Sequence, residues 1–194
     1  MAEPQLEFYF LSDPEILDYP PANAIAAKIS SNAILVTSPS DLVMRALKVI
    51  KLTGGKIARM RIAGHGAFNQ FRIGKTWVMY DHFDTQWKPL FSMLTPCFTK
   101  DALVTIQACQ CARVGGVDEP LKLLRALSAL WGVRVEGWTG DINYTSAGPF
   151  SGIDPEGNRI ICLSNGVCVP IASAEYGYPP DGRIGPRKSQ QYPE

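Results

Sequence analysis

MRIAGHG (residues 60–66) and ALVTIQAC (residues 102–109) are two apolar runs that each end at a reactive side chain. The first run ends at His65 and Gly66, and the second ends at Cys109. If the runs are neighbouring parallel strands, His65 and Cys109 leave the sheet together at its carboxyl edge, where open α/β folds place their ligands. A histidine base beside a thiol is the minimal arrangement for a cysteine nucleophile.

The residues around this pair have a chemical reason to be there. Gly66 carries no side chain, so a substrate carbonyl can approach the backbone closely. The backbone N–H of Gly66 can then help to bind a developing oxyanion. The N–H of Cys109, at the transition from strand to loop, is expected to point toward the same region. The sequence therefore predicts a thiol, a base and two backbone donors at one sheet edge.

The composition indicates one globular domain. The chain has 194 residues, of which 46% are hydrophobic and 19% charged, and its formal net charge is +1. This balance gives no reason to expect nucleic acid or an acidic membrane as a partner. No segment resembles a signal peptide or the roughly 20 apolar residues of a membrane span. We expect a soluble, cytoplasmic protein, with export that needs no amino-terminal signal as the alternative.

The cysteine count favours reduced thiols. Five cysteines are an odd number, and the chain is too long for a disulfide-dense miniature scaffold. Cys97, Cys162 and Cys168 are interpreted as structural, because cysteine is often buried as a small hydrophobic residue. Cys111 is interpreted as an accessory thiol of the loop after Cys109, with a rival nucleophile or a resolving thiol as alternatives.

The chain divides into three parts by composition. Residues 1–32 are rich in proline and are expected to form an irregular amino-terminal arm, with one short strand at residues 6–11. Residues 33–172 carry the periodic apolar pattern of the α/β domain. Residues 173–194 are rich in proline and glycine and are expected to form a mobile carboxyl tail.

The start of the α/β domain has a β-α-β pattern. Residues 33–37 (AILVT) are typical of a buried strand, and Ser38 is followed by a helical pattern with Pro39 at its first position. Gly54 ends this helix, and residues 57–63 form the next strand. The pattern predicts a parallel pair of strands with a right-handed crossover.

The remaining elements follow from apolar periodicity and turn signals. Asn165-Gly166 is a strong signal for a short hairpin. In chain order we predict a hairpin at 68–80, a helix at 81–94, a core strand at 103–108, a helix at 121–131, a strand at 133–138 and a hairpin of 160–163 with 167–171.

The two reactive blocks together resemble those of the caspase-like cysteine peptidases, which include caspases, gingipains, legumains and separases. Residues 107–110 (QACQ) resemble the start of the caspase nucleophile motif Gln-Ala-Cys-x-Gly, with Cys111 in place of the glycine. A closer likeness is to bacterial caspase-like domains, because residues 132–140 (GVRVEGWTG) resemble their Gly-x-x-Val-x-x-x-Thr-Gly strand. The resemblance covers roughly residues 33–142.

This resemblance implies a caspase-like three-layer α/β sandwich, with a central mostly parallel sheet and small β-hairpins. It also implies a cysteine endopeptidase that hydrolyses peptide bonds through a thioester, with His65 as the base and Cys109 as the nucleophile. The backbones of Gly66 and Cys109 would bind the oxyanion. Such a reaction needs a protein or peptide substrate and neither a cofactor nor a metal.

A substrate pocket is expected near the nucleophile, because caspase-like enzymes usually select the residue before the scissile bond there. Arg113, Trp138 and Asp141 are the candidate substrate-binding residues. No motif fixes this pocket, so the sequence leaves the substrate preference open.

Three alternatives remain open at this point. The chain can be a catalytically inactive, protein-binding module that keeps the fold, or an amidase or acyl-transferase that uses the same dyad. A zinc site would gather His65, His82, Cys109 and Cys111, although the Cys-x-Cys spacing is shorter than zinc sites normally use. We interpret His82 as a surface or capping histidine instead.

Overall fold

A computed structural model of the chain describes residues 3–12, 33–112, 121–140, 142–145, 152–155 and 159–171. The rest of the predicted arm and the predicted tail lie outside the described residues. The strands are β1 (Gln5–Leu11), β2 (Ala33–Leu35), β3 (Lys56–Ala63), β4 (Gly66–Ala67), β5 (Gln70–Ile73), β6 (Thr76–Met79), β7 (Phe98–Gln107), β8 (Arg134–Trp138), β9 (Ile142–Thr145), β10 (Gly152–Pro155), β11 (Arg159–Cys162) and β12 (Cys168–Ile171).

Seven of these strands form the central sheet. Their order is β2-β1-β3-β7-β8-β11-β12. The first five are parallel, and β11 and β12 are antiparallel to their neighbours. The predicted mostly parallel sheet is therefore confirmed.

Strand β1 lies inside this sheet, between β3 and β2. Its side chains Phe8 and Phe10 stack on one another in the apolar core. The predicted pair of strands around the first helix is therefore not adjacent, because β1 lies between its members. Strand β2 is shorter than predicted, and its Leu35 is 45% exposed because β2 is the edge of the sheet.

Helix α1 (Pro39–Thr53) begins and ends as predicted. The side chain of Ser38 accepts a hydrogen bond from the backbone N–H of Asp41, at 3.1 Å. Gly54 adopts a left-handed conformation and donates its N–H to the carbonyl of Ile50. These are ordinary helix caps.

The segment predicted as a helix at 81–94 is helical but irregular. It runs through a 3₁₀ turn (Tyr80–His82), a π-helical turn (Phe83–Trp87), helix α2 (Lys88–Phe91) and a second 3₁₀ turn (Ser92–Cys97). Helix α3 (Lys122–Trp131) follows further along the chain and ends at Gly132, as predicted. The indole N–H of Trp131 donates to the carbonyl of Phe91, at 3.0 Å, which joins α3 to α2.

The described helices cover one face of the central sheet. Their apolar side chains form a single cluster with alternate strand residues such as Ile62, Ile106 and Val135. The opposite face carries other buried residues, among them a row in which Arg61, Thr105 and Glu136 lie opposite one another on adjacent strands. The described residues thus show a mixed α/β fold with helices on one face, and the three-layer arrangement stays a prediction.

None of the helices in the described ranges combines the length and the apolar composition that a membrane crossing requires.

The β11–β12 hairpin forms around the predicted Asn165-Gly166 turn. Gly166 has a φ of +82°, and the side chain of Asn165 accepts the N–H of Val167 at 3.0 Å. Cys162 and Cys168 lie directly opposite each other and form a disulfide. The expectation of reduced thiols is wrong for this pair.

Reduction of this disulfide should lower the free energy of unfolding by about 2 kcal/mol, because the bond closes a short loop in the unfolded chain. Urea unfolding with and without dithiothreitol measures the change. In Cys162→Ser/Cys168→Ser, which cannot form the bond, the reductant should have no effect. Equal midpoints for wild type under both conditions would contradict a stabilising disulfide.

Candidate active site

The candidate site lies at the carboxyl edge of β3 and β7. These strands are parallel neighbours, and Ala63 lies directly opposite Gln107. The N–H of Gly64 continues the pairing beyond the strands by donating to the carbonyl of Gln107, at 3.1 Å. His65 and Cys109 each follow two residues after this last pair. The expectation that the two apolar runs are neighbouring parallel strands is confirmed.

Gly66 brings the histidine segment against the cysteine segment. A Cβ atom at this position would collide with the carbonyl oxygen of Cys109 and would lie 2.7 Å from the Cβ of Ala108. Only a residue without a side chain allows this approach. The backbone after His65 therefore packs directly on the backbone of Ala108 and Cys109.

Cys109 lies at the corner of a tight turn. The N–H of Cys111 donates to the carbonyl of Ala108 at 3.5 Å, and Gln110 has a φ of +53°. The N–H of Gln110 also donates to the carbonyl of Gly140, at 2.8 Å, which ties the turn to the segment after β8. Cys109 is half-buried. The thiol is thus held at a chain reversal on the sheet edge.

A small three-stranded sheet follows His65 directly. It consists of β4, β5 and β6, with Gly74 at a φ of +61° in the predicted hairpin turn. The N–H of Arg72 in β5 donates to the carbonyl of His65, at 2.8 Å. This bond fixes the backbone of the histidine, whose side chain is exposed.

The predicted substrate-binding residues are only partly described. Trp138 is 4% exposed, so its ring packs inside the protein and does not offer a binding surface. Its carbonyl accepts the N–H of Ala112, at 3.0 Å, which helps to hold the loop after Cys109. Arg113 and Asp141 lie outside the described residues.

Cys111 is a core residue and not the loop thiol that the sequence suggested. Its sulfur donates to the carbonyl of Ile106 at 3.6 Å. The sulfur also packs against Gly137, because a Cβ atom on that glycine would lie 2.5 Å from the sulfur. Burial raises the pKa of the Cys111 thiol to about 12. A buried thiol with this pKa is a poor nucleophile at neutral pH. This disfavours the alternative in which Cys111, and not Cys109, is the nucleophile.

The second histidine lies apart from this chemistry. His82 is exposed at the end of a 3₁₀ turn, which confirms the surface interpretation. Within the described ranges, no three His, Cys, Asp or Glu side chains come together in a way that could hold a metal ion. The zinc alternative therefore gains no support from the geometry of these ranges.

Two residues near the site were not singled out from the sequence. Gln107 is 3% exposed, and its side-chain oxygen has no hydrogen-bond partner among the described residues, although it lies two residues before Cys109. Ser12 is fully buried at the end of β1 and contacts the carbonyl of Ala63, two residues before His65. Gln107 belongs to the motif already quoted, whereas nothing in the sequence around Ser12 indicates its contacts.

No protein-family model matches the chain, and no curated protein matches it.

Replacement of Gly66 by alanine should perturb Cys109 specifically, because the added methyl group collides with the carbonyl of this residue. We expect a loss of about 1–3 kcal/mol in unfolding free energy and an altered rate of Cys109 alkylation. Gly55→Ala is the matched control, since a Cβ there would be crowded by Pro4 and Leu6 at the opposite end of β3. If both variants lose stability and Cys109 reacts identically in both, the close approach at Gly66 does not govern the thiol.

The buried thiol of Cys111 should make stability depend on pH in the alkaline range. Its pKa is raised above the ordinary value of 9.0, so the folded state holds the proton more tightly than the unfolded state. The corresponding stabilisation is complete below pH 9 and is lost as the pH rises toward 12. Denaturant unfolding of wild type and Cys111→Ala measures this, because their difference in unfolding free energy should shrink above pH 9. A difference independent of pH would contradict the raised pKa.

Proposed function

We propose that this chain is a caspase-like cysteine endopeptidase in which His65 is the general base and Cys109 the nucleophile. The observation that carries the proposal is the pairing of β3 with β7, which sends both residues out of the sheet at the same level. The packing of Gly66 on the carbonyl of Cys109 supports it, since the two segments are in direct contact.

The position of the pair within the sheet supports a binding site as well. Along the sheet, β2 lies on one side of β1 and β3 lies on the other, so the strand order changes direction at β1. Open α/β sheets bind ligands outside the carboxyl ends of their strands at such a point. The end of β3, where His65 follows, is one of the two strand ends at this point.

The mechanism follows from the roles of the two side chains. His65 takes the proton from the sulfur of Cys109, and the thiolate attacks the carbonyl carbon of a peptide bond. The backbone N–H groups of Gly66 and Cys109 are the proposed donors to the resulting oxyanion. His65 then gives the proton to the leaving amine, and water hydrolyses the thioester.

The contrast between neighbouring thiols supports Cys109 as the nucleophile. Cys109 is half-buried at the corner of a turn, whereas Cys111 is buried with a pKa of about 12.

Iodoacetamide labelling of the native protein across pH, with mass mapping of the modified peptide, tests the dyad. We expect Cys109 to react first near neutral pH and His65→Ala to slow this reaction at least about tenfold, because the base that generates the thiolate is lost. His82→Ala is the matched control and should leave the rate unchanged. Labelling of Cys109 that is indifferent to His65 would overturn the dyad and favour the protein-binding module.

Incubation with a peptide library of mixed sequence, with detection of new termini by mass spectrometry, then tests the reaction. In Cys109→Ala, kcat/KM for cleavage should fall at least about a thousandfold. If alkylation of Cys109 depends on His65 but the protein cleaves no peptide in the library, the endopeptidase assignment is overturned. The amidase or acyl-transferase is then favoured.

A further inference from the structure

Ser12 directly follows β1, at the edge of the sheet where His65 lies, and hydrogen bonds join it to the end of β3. Its backbone N–H donates to the carbonyl of Ala63, at 2.9 Å. Its hydroxyl also donates to the same carbonyl. Ser12 is fully buried, so no exposed water competes for these bonds.

The same hydroxyl reaches the hairpin that follows the histidine. It lies 2.9 Å from the carbonyl oxygen of Arg72, and the carbonyl of Ser12 accepts the N–H of Gly74. A serine hydroxyl has one proton, so this proton is shared between the carbonyls of Ala63 and Arg72. Ser12 therefore joins the end of β3 to β5.

Arg72 completes the connection to the candidate base. While its carbonyl contacts Ser12, its N–H donates to the carbonyl of His65, at 2.8 Å. Hydrogen bonds thus run from Ser12 through one residue of β5 to the backbone of His65.

The glycine before the histidine shows how close this contact is. A Cβ atom on Gly64 would collide with the hydroxyl oxygen of Ser12 and with the carbonyl oxygen of Arg72. On the other side of His65, Gly66 packs on the carbonyl of Cys109. The backbone of His65 is therefore confined between the Ser12 contact and the cysteine turn.

We propose that Ser12 is a positioning residue that holds the backbone of His65 in register with Cys109. The inference rests on the proposed function, since it assigns Ser12 to the same dyad. Without the hydroxyl, the carbonyl of Arg72 loses the hydrogen bond from Ser12, and β5 can shift together with the backbone of His65. Small displacements of a catalytic base are costly for rate, because proton transfer needs hydrogen-bond geometry.

The chain contains a matched control for the loss of a buried serine hydroxyl. Ser128 is also fully buried, and its hydroxyl contacts two carbonyls, those of Val133 at 2.6 Å and Cys162 at 2.9 Å. Val133 lies just before β8, at the amino end of a strand parallel to β7, and so at the edge opposite His65. Ser12→Ala and Ser128→Ala therefore remove the same group with the same number of partners.

The experiment compares three readouts in both variants. In Ser12→Ala we expect Cys109 alkylation near neutral pH to slow by about tenfold, approaching the rate of His65→Ala. For a cleaved peptide, kcat should fall while KM stays within about twofold. The ring resonances of His65 should move in proton NMR, with those of His82 as an internal reference, since the chain has only two histidines. Ser128→Ala should match wild type in all three, and Ser12→Thr, which keeps the hydroxyl, should recover part of the loss.

The outcomes separate this inference from the proposed function. If Cys109 is alkylated at the same rate in wild type and in His65→Ala, the dyad is overturned and so is the positioning role of Ser12. If the His65 dependence holds and Ser12→Ala behaves like Ser128→Ala, the dyad stands and the positioning role is overturned. If Ser12→Ala does not fold, Ser12→Cys takes its place, because a thiol fills the site but is a much weaker hydrogen-bond donor than a hydroxyl.

Discussion

The pairing register between β3 and β7 is the constraint on which the candidate site depends. Side chains alternate between the faces of a sheet, so a slip of one residue would exchange them. Arg61 and Thr105 lie opposite each other on one face, while Ile62 and Ile106 enter the apolar core on the other. A slip would bury the guanidinium of Arg61 in that core at a large cost.

The polar row on the second face extends this constraint beyond β7. The carboxylate of Glu136 in β8 accepts a hydrogen bond from the hydroxyl of Thr105, at 2.7 Å, and another from the Nε of Arg159 in β11, also at 2.7 Å. Burial lowers the pKa of Arg61 at the other end of the row. Separating the members of a buried charged pair is strongly destabilising, so this row disfavours strand registers that part Glu136 from Thr105 and Arg159.

The sequence predicts local features of this fold well and the choice of strand partners less well. The cap of α1 at Ser38 and the Asn165-Gly166 turn depend on neighbours in the chain, and both are found as predicted. The insertion of β1 between β3 and β2 depends on residues far apart, which periodicity does not reveal. The Cys162–Cys168 disulfide is an intermediate case. A two-residue turn at Asn165-Gly166 would place Cys162 opposite Val169, and only the three-residue loop closed by the N–H of Leu163 on the carbonyl of Val167 places the two cysteines opposite each other.

The same distinction applies to the site. His65 and Cys109 could be placed from the sequence because each closely follows an apolar strand. The burial of Cys111, by contrast, depends on the absence of a side chain at Gly137, which is distant in sequence. Cys111 is the one departure from the nucleophile motif that the chain resembles. Its sulfur lies in the interior and donates a hydrogen bond to the carbonyl of Ile106. Its backbone N–H still donates to the carbonyl of Ala108 and so closes the turn around Cys109. Packing of the Cys111 sulfur on Gly137 of β8 therefore accommodates a cysteine in place of the motif's glycine. The backbone turn that holds the proposed nucleophile forms without that glycine.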